Sequence, residues 1–195
     1  IMQLSESTKE ILKNFSEINP NLMIKPGKQL KTISTMKNIL ATANVSEDFP
    51  QDIAIYDLNE FLGVMSLFTK PQFTFDDKSL SIGEEGTSTK SKYYFADPSI
   101  LTVPQKDVKM PEAEVQFTLT ETDLTKVKKA AAMLQLPDIS ISSKGTDITL
   151  SAIDKKNDTA NNFSIKVGET NSKFEFHFKT EHLKMLQCIY LIKVN

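Results

Sequence analysis

Apolar residues at Leu4, Ile11, Leu12, Phe15 and Ile18 recur at helical spacing, with Ser7 and Glu10 placed as a capping box, and Pro20 stops the run. The period then changes. Segments 21–25, 29–35 and 39–46 have strand character and read as a meander, the first two joined by a turn at Pro26-Gly27. Residues 52–56 alternate as a fourth strand and lead into Asp57, a good cap for a second helix over 58–68. Strand composition returns at 72–75, 79–83 and 87–95, separated by Asp76-Asp77 and Glu84-Glu85-Gly86. From 96 to 111 no period is sustained, and Pro98, Pro104 and Pro111 punctuate a stretch that reads as an extended connector.

After the connector the order of events restarts. A strand at 115–119 precedes a helix over 122–135 whose expected buried stripe is Leu124, Val127, Ala131 and Leu134. Strands follow at 138–143, 147–153, 162–167 and 173–178, then a helix capped at Thr180 and running through Leu183 and Leu186. The turn glycines are offset by 145 − 27 = 118 residues and the caps of the second helices by 180 − 57 = 123. A tandem copy of one helix, four-strand, helix unit accounts for both offsets. The fold expected is α+β, with a first domain over 1–95, a connector over 96–113 and a second domain over 114–195. Three strands follow the second helix of the first copy, whereas only 195 − 180 = 15 residues follow Thr180. Two strands are therefore expected to be missing from a C-terminally truncated second domain, with 188–195 not its native continuation.

Composition narrows the function classes. With 39% hydrophobic and 25% charged residues and no apolar run of about 18, a membrane protein is excluded and a cytoplasmic globular one expected. A single cysteine, Cys188, leaves neither an internal disulfide nor a zinc site. The net charge is −2, and all 23 basic residues are lysine. Without arginine, bidentate reading of guanine is closed, which leaves lysine point charges suited to sequence-blind phosphate contact. No phosphate-binding glycine loop, nucleophile elbow or zinc-protease motif occurs. His177 and His182 are five apart, which is not the i, i+4 spacing of a helical metal pair. No enzyme activity, cofactor or metal is expected.

The helices carry more information than the loops. Lys9 and Lys13 lie off the apolar stripe of the first helix, and Lys126, Lys128 and Lys129 lie off that of its counterpart. On pattern alone these are either solvated faces balanced by Glu6, Glu10 and Glu17, or surfaces turned toward phosphate.

The run Leu12-Lys13-Asn14-Phe15, then 21–27, then Ala54-Ile55-Tyr56-Asp57-Leu58-Asn59-Glu60-Phe61-Leu62-Gly63 resembles the first domain of the DNA polymerase sliding clamps of tailed bacteriophages. Ala96-Asp97-Pro98-Ser99 is similar to the start of that family's interdomain loop. The resemblance implies two similar clamp domains, each with antiparallel sheets and two helices on one face. It implies a homotrimeric ring that encircles duplex DNA without sequence preference and tethers the replicative polymerase, with a link to late transcription, in the cytoplasm of an infected bacterial host. Carried over, Lys9, Lys13, Lys126, Lys128 and Lys129 face DNA, and Ile100, Leu101, Val103 and Val108 line a pocket for partner peptides. An ATP-dependent loader would open the ring, the clamp itself doing no chemistry. The alternatives are a duplicated α+β protein-interaction module with no DNA role and, behind it, a hydrolase using His177 or His182.

Overall fold

The computed structural model describes residues 1–109 and 111–194. The chain divides into two units, Ile1–Asp107 and Val108–Asn195. In the first, strand β1 (Met2–Gln3) precedes helix α1 (Glu6–Ile18), whose buried face is Thr8, Leu12, Phe15 and Ile18. Its cap is Ser5, whose hydroxyl accepts from the Thr8 N–H at 3.2 Å, and not the expected Ser7 and Glu10 pair. The reason is burial: Thr8 is 1% exposed and falls in the helix's inward row, so the turn has to begin before it. Strands β2 (Leu22–Ile24), β3 (Gly27–Ile33), β4 (Leu40–Phe49) and β5 (Ile53–Ile55) follow. Gly27, at φ +111°, takes the left-handed backbone that the turn into β3 requires.

Helix α2 (Leu58–Met65) starts where expected, since the Asp57 carboxylate accepts from the N–H groups of Asn59 and Glu60. It is shorter than the expected 58–68. Strands β6 (Gln72–Phe75), β7 (Ser79–Gly83) and β8 (Lys90–Tyr94) complete the unit, with a sheet ordered β1-β6-β7-β8 and antiparallel pairs β2–β5 and β3–β4. Seventeen buried apolar residues, Leu12, Leu30, Ile55 and Phe73 among them, form one core between helices and sheets.

The second unit repeats this wiring. Strand β9 (Val115–Leu119) precedes helix α3 (Glu121–Met133), then β10 (Asp138–Lys144), β11 (Asp147–Ile153), β12 (Phe163–Glu169), β13 (Lys173–Lys179) and β14 (Tyr190–Val194). The pairs β9–β14, β10–β13 and β11–β12 reproduce β1–β6, β2–β5 and β3–β4 in order and sense. Tandem duplication is thus visible in the hydrogen-bond ladders.

Three expectations fail here. The helix through Leu183 and Leu186 does not form, and only a 3-10 turn spans Thr180–His182. Thr180 is no cap: its hydroxyl donates to the Leu136 carbonyl at 3.0 Å and its N–H to that of Pro137 at 2.9 Å, so it fastens β13 to the end of α3. Leu134 is 39% exposed and leaves the buried stripe. Gln135, at φ +52°, turns the chain so that the Leu136 N–H reaches the Ala131 carbonyl at 2.8 Å, and Leu136 is buried in its place. Lastly, 190–194 is an integral strand of the unit, paired along its whole length with β9. Strands equivalent to β7 and β8 do not occur among the described residues of the second unit.

Candidate nucleic-acid interface and partner cleft

On α1 the buried row points Lys13 outward and leaves Lys9 at its flank. The Lys9 side chain is 24% exposed, and its ammonium donates to Glu6 Oε1 at 2.7 Å, one helical turn back. Together Lys9 and Lys13, with Glu6 and Glu10, border a groove of about 500 Å³ floored by Leu62, Met65 and Phe68. On α3 the buried row is Leu124, Val127 and Ala131. It turns Lys126 and Lys129 to solvent and leaves Lys128 half-buried at the edge. Both acids of α3 stand in its first turn, where Thr120 caps the helix and exchanges hydrogen bonds with Asp123. None of these three lysines enters an ion pair with another described residue, whereas elsewhere in that unit Lys166 pairs with Asp147 and Glu169, and Lys179 with Asp138.

Of the expected peptide-pocket residues, Ile100, Leu101 and Val103 lie in the first unit and Val108 in the second. Ile100 is 58% exposed at the end of a 3-10 turn (Pro98–Ile100) that the Asp97 carboxylate caps. Leu101 is buried, and Val108 is exposed in the second unit. Val103 reaches a cleft of about 210 Å³, which it lines with Pro104, with Met23 of β2 and Gln29 of β3, and with Pro26 between those strands, beside Lys25 and Lys31. Two asparagines that sequence reasoning missed position this segment. The Asn19 amide, 1% exposed, donates to the carbonyls of Ile33 and Thr102, both at 2.8 Å. Asn21 accepts from the Thr102 N–H at 2.9 Å and donates to the Tyr56 carbonyl. Lys31 pairs with Asp107 further along. Their only trace in the sequence is Asn19-Pro20-Asn21 after a helix, which reads as an ordinary turn.

The histidines do not form a site. His177 Nε2 lies 3.1 Å from Glu175 Oε1, and His182 stands beside Glu181. Among the described residues no three histidine, cysteine, aspartate or glutamate side chains cluster to hold a metal. Among the described residues no helix is long and apolar enough to cross a membrane.

Two lysine-bearing helices in two copies of one α+β wiring match a known protein group. Residues 5–102 match the DNA polymerase processivity factor family, and residues 116–195 match the C-terminal gp45 sliding clamp family. The chain belongs to the phage sliding-clamp family of DNA polymerase processivity factors. It is 33% identical over 201 residues to the sliding clamp of Vibrio phage KVP40, covering 100% of this chain and 90% of that protein. To the sliding clamp of Enterobacteria phage T4 it is 32% identical over 186 residues, covering 91% and 79%. The fold extends further than the sequence family. The proliferating cellular nuclear antigen of Entamoeba histolytica superposes with a TM-score of 0.69 at 12% identity, over 98% of this chain and 87% of that one. That of A. fulgidus, solved with the C-terminal region of FEN-1 bound, gives 0.70 at 13%, over 99% and 88%. The expected two-domain clamp fold, with antiparallel sheets, stands on these matches.

Proposed function

We propose that this chain is the subunit of a homotrimeric ring that encircles duplex DNA without sequence preference and tethers the replicative polymerase, in the cytoplasm of an infected bacterium. The observation that carries the reading is the tandem copy: each unit repeats one strand wiring around a helix with lysines on its outer side. In this reading 1–95 and 114–195 are the clamp domains, 96–113 connects them, and Lys9, Lys13, Lys126, Lys128 and Lys129 face the duplex. Lysine supports sliding because an ammonium attracts any phosphate and recognises no base, while the ring supplies the tether that weak contacts lack. A net charge of −2 suits such a protein, since acidic surface elsewhere discourages DNA from binding outside the hole.

The connector region, including Ile100, Leu101, Val103 and Val108, receives partner peptides. The cleft at Val103 and Pro104 supports this, being apolar at its floor and narrow enough for one side chain. A peptide bound to the A. fulgidus protein makes the same use of a clamp-type surface reasonable for this chain. The protein performs no catalysis, and a separate ATP-dependent loader opens the ring. The test is primer extension on a long singly primed template with phage polymerase and loader. The quadruple variant K9E/K13E/K126E/K129E is expected to fold, by circular dichroism, and to lose stimulation of long products. Undiminished stimulation would remove the DNA-facing assignment.

A further inference from the structure

We infer that attraction to DNA phosphate is concentrated on α3, the helix of the second unit, and that α1 and α2 of the first unit supply little of it. The inference rests on the DNA-facing reading of these helices and specifies which of them does the attracting. The two helices can be compared position by position, because both have 13 residues and a side-chain cap, Ser5 and Thr120, offset by 120 − 5 = 115. The outward ridge of α1 is Glu6, Glu10, Lys13 and Glu17, all exposed. The aligned positions of α3 are Glu121, Thr125, Lys128 and Ala132. Only the Lys13 and Lys128 positions agree in charge along the ridge beyond the first turn. Helix α3 then adds Lys126 and Lys129 where α1 has Ile11 and Asn14, and Lys9 aligns with the buried Leu124, which is why it lies low and turned onto Glu6.

The sums have opposite sign. Helix α1 carries two lysines and three glutamates, 2 − 3 = −1, whereas α3 carries three lysines against Glu121 and Asp123, 3 − 2 = +1. Helix α2 contributes Glu60 and no cation. Side chains one turn apart on a helix are roughly 5–6 Å from one another, inside the Debye length of about 8 Å at physiological salt. Phosphate therefore meets Lys13 and its glutamates as one near-neutral or negative patch. On α3 the acids are confined to the first turn, so its middle turns present cations alone.

The test uses the whole protein and a fluorescent blunt-ended duplex of arbitrary sequence, with binding followed by anisotropy across a series of salt concentrations. Each phosphate contact adds about 0.9 to the slope of log affinity against log salt. K126A/K128A/K129A is expected to flatten that slope by more than about 1, and K9A/K13A by clearly less. Alanine is the strongest helix former, so these substitutions keep the helices, and circular dichroism checks the fold. Glu10→Lys is a gain-of-function arm, expected to tighten binding and steepen the slope. If K9A/K13A costs as much as the α3 variant, or Glu10→Lys changes nothing, the inference fails while DNA-facing helices survive. If neither alanine set alters duplex binding, the DNA-facing reading itself falls.

Discussion

Glu47 lies on β4, 42 residues along the chain from Ser5, yet its carboxylate accepts from the Ser5 N–H, from the Thr8 hydroxyl and, at 3.0 Å, from the hydroxyl of Ser46. Burial by itself would raise its pKa. The hydrogen bonds from Ser5 and Thr8, with its own N–H, outweigh burial and hold the pKa at about 2, below the ordinary 4.5. A pKa lower in the folded than in the unfolded chain means stability that is present above about pH 4.5 and lost as pH falls toward 2. The difference corresponds to roughly 3 kcal/mol at neutral pH. Glu47→Gln is expected to lower stability at pH 7 by about 1–3 kcal/mol in urea melts, with the gap to the parent protein closing between pH 4.5 and 2. A gap that stays constant down to acid pH would show that the carboxylate's charge is not what fastens β4 to α1. No local pattern announces this contact, because its two halves are far apart in sequence. The same holds for Asn19 and Asn21, whose grip on Thr102 places the connector against the first unit.

At the scale of elements, legibility followed the strength of local chemistry. The bounds of β6, β7, β9 and β11 came directly from alternation between turn residues, and α2 began at Asp57 because an aspartate there satisfies two N–H groups without outside help. Thr180 offered the same signal, but tertiary carbonyls at Leu136 and Pro137 claimed it. The strand at 190–194 was illegible for a related reason: no turn residues mark off YLIKV, and its pairing with the distant β9 decides its state. Between elements, Gly168 on β12 sets how closely β9 can approach. A Cβ added there would stand 3.2 Å from Phe117 Cβ and 3.3 Å from Ile148 Cδ1, beside the register shift between Ile148 and Thr149. Gly168→Val is therefore expected to destabilise by about 1–3 kcal/mol through overpacking, measured by chemical denaturation. A neutral result would mean that β9 and β12 can separate without loss.

For the whole molecule, the duplication was readable from the turn glycines, whereas the cap offset rested on Thr180, which caps no helix, and the charge difference between the copies required knowing which side of each helix is buried. Lys9 illustrates the gap: a helical period placed it off the stripe, and only packing revealed it pinned to Glu6. Assembly is argued at this scale too. Strands β8 and β12 each end a four-stranded sheet, with no further strand beside them among the described residues. A head-to-tail contact between two different edges closes into a ring when the rotation between neighbours divides a full turn. Under the ring reading, sedimentation equilibrium is expected to give three times the chain mass of 21.9 kDa, with dissociation to monomer on dilution and no two-fold dimer between. Stimulation of primer extension should then fall off with dilution over the same concentration range as the trimer. A protein that stimulates synthesis at concentrations where it sediments as a monomer would contradict topological tethering, because an open subunit has no hole to hold the duplex.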